Sequence, residues 1–543
     1  MHRTAAPAIV AVIFAVLSAP ATRADFRTAY PPMLQGRNGA TVTAIHTVGE
    51  PLPSRGVYVD APGVYVPVGI PDGIGAFALD ERTVRVLVNH ELSAEKGYPY
   101  RLRDGATLTG ARVSYYDIDR ASRRVIDAGL AYGRAYDRRG QAVTRAEQLN
   151  ETGDPRLGFS RFCSSALFEP DGFGPGRGFA DRVYFTGEEV GRPNHPHGGT
   201  LWALEVSTGQ IWAAPAPGRG QWENVTQVDS GRADRVALLM GDDSEGAPLY
   251  LWVGHKQATG SFLERNGLAE GALYAWKADA TGVNVPSKFH GTGSRQVGTF
   301  VKVTVRDPAR KGTPGYDADG YADSDTLRRQ ADALGAFSFA RPEDLATHPR
   351  NGSQVVFAST GRDKHDAGSD SWGTLYTVDL DLGAIDRPTA TVRVLYDGNA
   401  DPDRRLRSPD NLDWADDGGI YVQEDRSFAW EIDPSPTEAS VVRVDPTTGA
   451  LQQVAEMDRS ALAPLGGTDR LAGRLGAWES SGILDVSSLF GSAPGTLFLL
   501  TVQAHGIQDG VIGGDALLVQ GGQLLFLDTS RLSATRPGAV AVP

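Results

Sequence analysis

The sequence is poor in cysteine. Its 543 residues contain one cysteine, Cys163, so no intramolecular disulfide can form. A lone free cysteine is by default a small hydrophobic core residue, and the alternative is a chemical role. Composition alone leaves both interpretations open.

The sequence also lacks an apolar run long enough for a typical membrane span. Its most apolar segment, residues 8–17, follows His2 and Arg3 and precedes small residues at 19–24, which is the layout of a secretory signal peptide. The N-terminal signal contains no Arg-Arg pair, so Sec-type export is favoured over Tat-type export. We predict a signal peptide at residues 1–24 and a mature protein that is periplasmic or secreted, with no membrane span.

Basic residues are fewer than acidic residues, and segments with helical periodicity are few. The formal net charge of -13 argues against nucleic acid as the main partner and suits a protein that binds cations. The 65 glycines and 33 prolines indicate many turns and favour an all-β chain. The sequence contains no G-x-S-x-G elbow, P-loop or H-E-x-x-H motif.

Two kinds of strand alternate along the chain. One kind forms hairpins that start near Gly198, Gly271, Trp372, Ser440 and Gly521. The other kind is apolar and ends at small or charged residues, as at 235–240, 249–253, 355–358, 419–422 and 496–501. This repetition predicts a β-propeller whose apolar strands are innermost and face a central channel.

We therefore expect one propeller domain over residues 25–543, with long loop insertions and short helical ones. A mixed array of β-sandwiches is the rival fold. Residues 25–75 are interpreted as loop, and residues 325–334 as the best helix.

Several acids stand where groups facing a channel would be. Buried carboxylates repel one another, and Ca²⁺ relieves that repulsion by accepting several oxygen ligands. A thiolate beside them would require a softer metal such as iron or zinc. Each single acid can equally be a turn-former or a solvated charge. The candidates include Glu91, Glu188, Glu189, Glu223, Asp242, Asp243, Glu343, Asp410, Glu424, Asp425 and Glu479.

The order of the short motifs from Asn89 to Asp528 resembles that of the bacterial PhoX-type alkaline phosphatases. The motifs are Asn89-His90-Glu91, Cys163, Glu188-Glu189, Gly241-Asp242-Asp243, Arg341-Pro342-Glu343, Ser408-Pro409-Asp410-Asn411 and Val502-Gln503-Ala504-His505-Gly506. Each motif is short, so the specificity of the resemblance lies in their shared order.

The resemblance implies a six-bladed propeller with Ca²⁺ and Fe³⁺ in its channel, which hydrolyses phosphate monoesters outside the cytoplasm. It implies that Cys163 is the thiolate ligand of iron and that Arg341 contacts the phosphate. The implied carboxylate ligands are Glu223 and Glu343, followed by Asp410 and Glu479. Glu188 and Glu189 complete the predicted metal-binding set. The expected partner is a small phosphoester, and the expected oligomeric state is a monomer.

The chain departs from the family pattern in three places. Cys163 is followed by Ser164-Ser165-Ala166 and not by a run of glycines, Trp222 stands where the family has histidine, and the export signal is not of the Tat type. Two alternatives therefore remain open. One is a calcium-stabilised binding propeller without catalysis, and the other is an esterase, lactonase or phosphodiesterase on the same scaffold.

Overall fold

The computed structural model describes residues 25–56, 63–149, 157–191, 195–427, 429–432 and 437–532. The predicted signal peptide at residues 1–24 lies outside these residues. Among the described residues, no helix has the length and apolar character that a membrane span requires.

Most of the regular structure is β-strand. The strands before the cysteine are β1 (Leu34–Gly36), β2 (Thr41–Thr47), β3 (Leu52–Ser54), β4 (Gly63–Tyr65), β5 (Pro71–Ala78), β6 (Thr83–His90), β7 (Tyr100–Arg101), β8 (Thr107–Gly110), β9 (Arg112–Asp119), β10 (Val125–Leu130), β11 (Arg134–Tyr136) and β12 (Gly158–Phe159). The middle strands are β13 (Phe162–Phe168), β14 (Val183–Glu188), β15 (Gly199–Glu205), β16 (Gln210–Gly220), β17 (Trp222–Val228), β18 (Arg235–Asp242), β19 (Glu245–Ala247), β20 (Tyr250–His255), β21 (Gly271–Ala278), β22 (Arg295–Val303) and β23 (Phe339–Ala340). The last strands are β24 (Pro342–Thr347), β25 (Gln354–Ser359), β26 (Thr374–Asp381), β27 (Thr389–Asp397), β28 (Pro409–Trp414), β29 (Ile420–Glu424), β30 (Ser440–Val444), β31 (Leu451–Met457), β32 (Trp478–Asp485), β33 (Leu497–Ala504) and β34 (Gly521–Asp528).

Helices are short. The α-helices are α1 (Phe262–Arg265), α2 (Ser324–Ala333), α3 (Ala429–Ile432) and α4 (Leu462–Leu465). Single 3₁₀ turns lie at Ala146–Gln148, Pro286–Lys288, Pro308–Arg310, His365–Gly368, Arg459–Ala461, Ser488–Phe490 and Gly510–Ile512. The predicted helix at 325–334 is confirmed as α2, whose first turn is capped by the Asp323 carboxylate accepting from Thr326 N.

The described strands form six antiparallel blades around one axis, which confirms the propeller. In order, their inner strands are β5, β13, β17, β24, β28 and β32, and each contacts the next around a closed ring. Blades 3 and 4 are also joined at their outer edges, because β22 pairs with both β21 and β27.

Strands from the start of the chain close the ring. β2 pairs with β34 and becomes the outer strand of blade 6, and β1 pairs with β31 at the edge of blade 5. The interpretation of residues 25–75 as loop is therefore wrong. β1 has three residues, and the partners of both strands lie hundreds of residues away in the sequence, so local pattern does not reveal the pairing.

The hydrophobic core lies between the blades. Each of the interfaces between neighbouring blades holds its own cluster of buried side chains. Trp222 and Trp478, the first residues of β17 and β32, are fully buried in two of them. This packing fixes the inner strands and therefore the side chains that they direct to the axis.

The predicted innermost strands are the second or third strands of their blades. Residues 235–240, 355–358, 419–422 and 496–501 lie in β18, β25, β29 and β33, each one strand out from the channel, and 249–253 lies in β20. The physical reason is that both faces of these strands pack against neighbouring blades, which gives them the strongest apolar signal. The true inner strands each carry a carboxylate or the thiol at their second residue, which weakens their apolar signal.

Candidate metal centre

All six inner strands have, at the same position, a residue of a type that can bind a metal. The second residue of each strand is a carboxylate or the thiol: Asp72, Cys163, Glu223, Glu343, Asp410 and Glu479. Because the six inner strands surround one axis, these six side chains form a ring of potential metal donors, which we call the donor ring.

The backbone at these strand starts is irregular in a repeated way. In blades 1 to 5 the register shifts directly after the first residue of the inner strand, which is the mark of a β-bulge. In four blades the preceding residue has positive φ although it is not glycine: Ile70, Arg161, Arg341 and Ser408. Bulges re-aim side chains and are common next to active sites, and here they accompany each turn toward the axis.

Electrostatic interactions link the donors all the way around. Cys163 interacts with Asp72 and Glu223, Glu223 with Glu343, Glu343 with Asp410, Asp410 with Glu479, and Glu479 with Asp72. The donor ring is thus one connected group of acids and not a set of isolated buried charges.

Cys163 lies at the centre of two tighter groups. Its Sγ donates to Asp72 Oδ2 at 3.3 Å. One donor atom each from Asp72, Glu91 and Cys163 lie within 4.8 Å of one another, and so do atoms of Cys163, Glu189 and Glu223. Burial raises the pKa of the Cys163 thiol well above its usual value, and the Asp72 and Glu223 carboxylates raise it further. A cation is what such a thiol needs in order to lose its proton.

Asp72 is the donor that sequence reasoning missed. Burial raises its pKa well above the usual value, and nearby Glu91 adds to the rise. A signal was present in the sequence, because Pro71-Asp72 has the same form as Pro342-Glu343 and Pro409-Asp410. It was not recognised because the surrounding residues were interpreted as loop.

Arg341 and two acids lie at the edge of the donor ring beside blade 4. We call this edge the rim. The Arg341 guanidinium donates to Asp243 Oδ1 at 2.6 Å and lies 2.7 Å from Glu343 Oε1. Burial alone would raise the pKa of Asp243, but Arg341 outweighs burial and lowers that pKa below its usual range. Burial raises the pKa of Glu343 well above its usual value, with Arg341 opposing the rise and Asp243 adding to it.

Glu479 lies beside a histidine on blade 6. His505 Nε2 lies 3.6 Å from Glu479 Oε2, and Ser481 Oγ donates to Glu479 Oε1 at 2.7 Å. Burial lowers the pKa of His505, but the Glu479 carboxylate more than offsets this and raises it to about 9.

Of the predicted metal ligands, the structure brings together Cys163, Glu189, Glu223, Glu343, Asp410 and Glu479. Glu188 lies apart from them. Its carboxylate accepts from the backbone of Ser160 at 3.1 Å and of Thr200 at 3.4 Å, so it fixes neighbouring strands of blade 2. The role of each residue as a metal ligand stays a prediction.

The donor set fits the predicted kinds of metal. Oxygen donors dominate, as Ca²⁺ prefers, and the single sulfur gives one side of the ring the softer character that iron accepts. Asp72 Oδ1 and Asp410 Oδ1 are buried and accept no hydrogen bond from any described residue. Buried carboxylate oxygens of this kind are costly without a partner, and a cation is a suitable one.

The fold and the ring together define a six-bladed β-propeller with an acidic, thiol-containing centre in its channel. The sequence model of the family "Alkaline phosphatase PhoX" matches residues 202–460, and this part of the chain is assigned to that family. The matched range contains Glu223, Arg341, Glu343 and Asp410 but neither Cys163 nor Glu479, which are placed by the geometry described above.

One solved structure supports the fold. PhoX of Pseudomonas fluorescens, solved in complex with vanadate, a transition state analogue, has a TM-score of 0.59 and 16% sequence identity, covering 93% of this chain and 97% of that one. At this identity the likeness concerns the fold alone. A GH43 β-1,3-galactosidase (TM-score 0.36, 10% identity, 89% and 94% covered) and the periplasmic gluconolactonase of Pseudomonas aeruginosa (0.29, 12%, 80% and 83%) are too distant to support an argument. No curated protein sequence matches the chain.

Proposed function

We propose that this chain is an exported, metal-dependent phosphatase that hydrolyses phosphate monoesters at a calcium and iron centre in the propeller channel. The observation that carries the proposal is the donor ring, in which each inner strand contributes one carboxylate or the thiol. Membership of the PhoX family and the vanadate bound to the Pseudomonas fluorescens protein support phosphate chemistry over the other options.

The ring acids and the thiol would hold the cations. Asp72, Glu91 and Cys163 form one candidate ligand group, and Cys163, Glu189 and Glu223 form another. Cys163 belongs to both groups, so it would help to hold a cation in either of them. When bound, such cations polarise a phosphoryl group and neutralise the negative charge that develops in the transition state.

Arg341 is the candidate catalytic residue of the chain itself. Its guanidinium is held on one side by Asp243 Oδ1 and Oδ2, at 2.6 and 3.1 Å, which fixes its plane at the rim of the ring. A planar guanidinium binds phosphate oxygens in pairs. Because the Asp243 pair orients it in advance, Arg341 can bind a phosphate with little loss of side-chain entropy.

The remaining elements of the proposal concern location and partners. The predicted signal peptide at residues 1–24 would direct the protein to the periplasm or beyond the cell. The substrate would be a small phosphoester, and the protein would act as a monomer.

The test compares the wild-type protein with Cys163→Ser and Glu343→Gln, both close to isosteric. We expect each variant to fold, to bind less metal, and to hydrolyse p-nitrophenyl phosphate about 100-fold more slowly or worse, the order of loss for one transition-state contact. Glu169→Gln is the matched control, because Glu169 is an exposed acid that pairs with Arg182 and is not a member of the donor ring. If both ring variants keep wild-type metal content and turnover, the assigned centre is wrong.

A further inference from the structure

Arg161 occupies on blade 2 the position that Arg341 occupies on blade 4. Each arginine directly precedes an inner strand, and each has a positive φ, 49° for Arg161 and 67° for Arg341. In each case a ring donor follows two residues later, Cys163 after Arg161 and Glu343 after Arg341. The two arginines are therefore equivalent in the blade repeat.

The contacts of the two arginines also correspond. Arg161 Nη2 lies 2.6 Å from Glu91 Oε1 and donates to the Glu189 carboxylate, while its Nε donates to the Glu189 carbonyl at 3.1 Å. Arg341 similarly contacts two acids, Asp243 and Glu343. The Arg161 side chain is 43% exposed and that of Arg341 is 18% exposed, so Arg161 is the more accessible of the two.

A chain of contacts across blade 3 connects the arginines. Glu189 forms a β-bridge with Gln221, and Asp243 N donates to the Gln221 carbonyl at 2.8 Å. The Glu189 and Asp243 carboxyl groups also interact electrostatically with each other. Both guanidinium groups thus lie along one arc of the rim, on either side of blade 3 and its donor Glu223.

We propose that Arg161 is a second anion-binding residue, which holds the phosphate of the substrate together with Arg341. The inference rests on the function proposed above and specifies how its substrate is recognised. Glu91 and Glu189, the acids that contact Arg161, are also members of the candidate ligand groups. Carboxylates shared with a cation attract a guanidinium less, which leaves the positive charge of Arg161 available to a phosphate dianion.

The rival role is structural, in which Arg161 only neutralises Glu91 and Glu189. The two roles differ in what is lost on substitution. A structural arginine would be needed for metal retention and stability. An anion-binding arginine would be needed for phosphate affinity while the metals stay in place.

The experiment uses the full-length, metal-loaded protein with Arg161→Gln, Arg161→Lys and the control Arg232→Gln. Arg232 is an exposed arginine that pairs with a single carboxylate, Asp234, outside the channel. Metal content, the Kd of inorganic phosphate by titration calorimetry, and KM and kcat for p-nitrophenyl phosphate are measured. We expect Arg161→Gln to retain its metals, to bind phosphate about 10-fold or more weakly and to raise KM by a similar factor, the value of one charge-assisted hydrogen bond. Arg161→Lys should recover part of the affinity, and the control should match wild type.

Unchanged phosphate affinity in Arg161→Gln would overturn the inference, and so would loss of metal in both Arg161 variants. Either result leaves the proposed function intact if the wild type binds phosphate and hydrolyses the ester. A wild-type protein that does neither would refute the proposed function and the inference together.

Discussion

At the scale of single residues, the two oxygens of the buried Asp72 carboxyl group have different surroundings. Gln503 Nε2 donates to Asp72 Oδ2 at 2.8 Å and lies 3.3 Å from Glu91 Oε2. The other oxygen, Asp72 Oδ1, accepts no hydrogen bond from a described residue. One oxygen is therefore oriented by the protein, and the other is left for a ligand on the axis.

Asp72→Asn tests this division. The amide keeps the size of the side chain but removes one negative charge and replaces an acceptor oxygen with a donor. We expect metal affinity and hydrolysis of p-nitrophenyl phosphate to fall by about 10- to 100-fold or more, since loss of a group that only supports a ligand already has that effect. Asp80→Asn, at an exposed turn, is the control. Wild-type metal affinity in Asp72→Asn would show that this carboxylate is not a ligand.

Asp370, on blade 4 and outside the donor ring, predicts a pH dependence of stability. It accepts hydrogen bonds from Ser359, Thr374 and Asn399, yet burial outweighs these and raises its pKa to about 7. The folded state therefore keeps a proton that the unfolded state releases near pH ~4. This contribution to stability is complete below about pH 4 and is lost as the pH rises through about 7.

Asp370→Asn removes this titration, because the amide is neutral at every pH. We expect the Tm of the variant, relative to wild type, to be higher at about pH 8 than at about pH 5. Thermal melts of both proteins at the two pH values measure this difference. An equal difference at both pH values would mean that Asp370 ionises normally in the folded state.

The sequence reveals the acids at the donor ring better than it reveals their partners. Glu223, Glu343, Asp410 and Glu479 stand in short motifs, and chain order alone brings them into consideration. Glu188 and Glu189 are adjacent acids, and the sequence does not show which of them faces the channel. In the folded chain Glu188 accepts hydrogen bonds from the backbone of neighbouring strands, whereas Glu189 contacts Arg161. The polar contacts of Arg161 join residues next to the ends of three different strands, so no local pattern predicts them.

At the scale of elements, the start of each inner strand depends on close contact with its neighbours. Gly241, in β18, packs against the backbone of β24, and a Cβ at this glycine would lie 2.0 Å from the Glu343 carbonyl oxygen. Backbone cannot move aside as a flexible side chain can. The absence of a side chain at Gly241 therefore helps to place Glu343 in the ring.

Gly241→Ala should move the start of β24 and carry Glu343 out of position. We expect a loss of about 1–3 kcal/mol in the free energy of unfolding, the usual cost of overpacking, together with lower metal affinity and slower hydrolysis. Gly473→Ala is the control, because nothing lies within 4 Å of a Cβ at Gly473 and its φ is not positive. Normal metal affinity in Gly241→Ala would show that this contact does not position Glu343.

The sequence predicts which segments are strands better than it predicts the place of each strand within its blade. The hairpins at Gly271, Ser440 and Gly521 are present as β21, β30 and β34, because alternating apolar residues mark a strand wherever it lies in a blade. The inner strands are interrupted by bulges and have a carboxylate or the thiol as their second residue, so their periodicity is weak. The order of strands from the axis outward is a property of the packed blades and not of any one segment.

At the scale of the whole molecule, closure depends on the strand pairing that is most distant in sequence among the described residues. β2 joins β34 and so ties the first described residues to the last blade. Composition predicts an all-β protein, and repetition predicts blades, but neither predicts which strand completes the ring. The ring must be closed for its donors to meet, so the donor ring is a consequence of the complete fold.

The central claim is that this closed ring holds metals that hydrolyse a phosphate ester. The most direct test is an elemental analysis of the purified, exported protein beside an assay of p-nitrophenyl phosphate hydrolysis, before and after treatment with a chelator. The account predicts bound calcium and iron together, and hydrolysis that the chelator abolishes and the two metals restore. Calcium without iron and without hydrolysis, or hydrolysis that persists after all metal is removed, would contradict it.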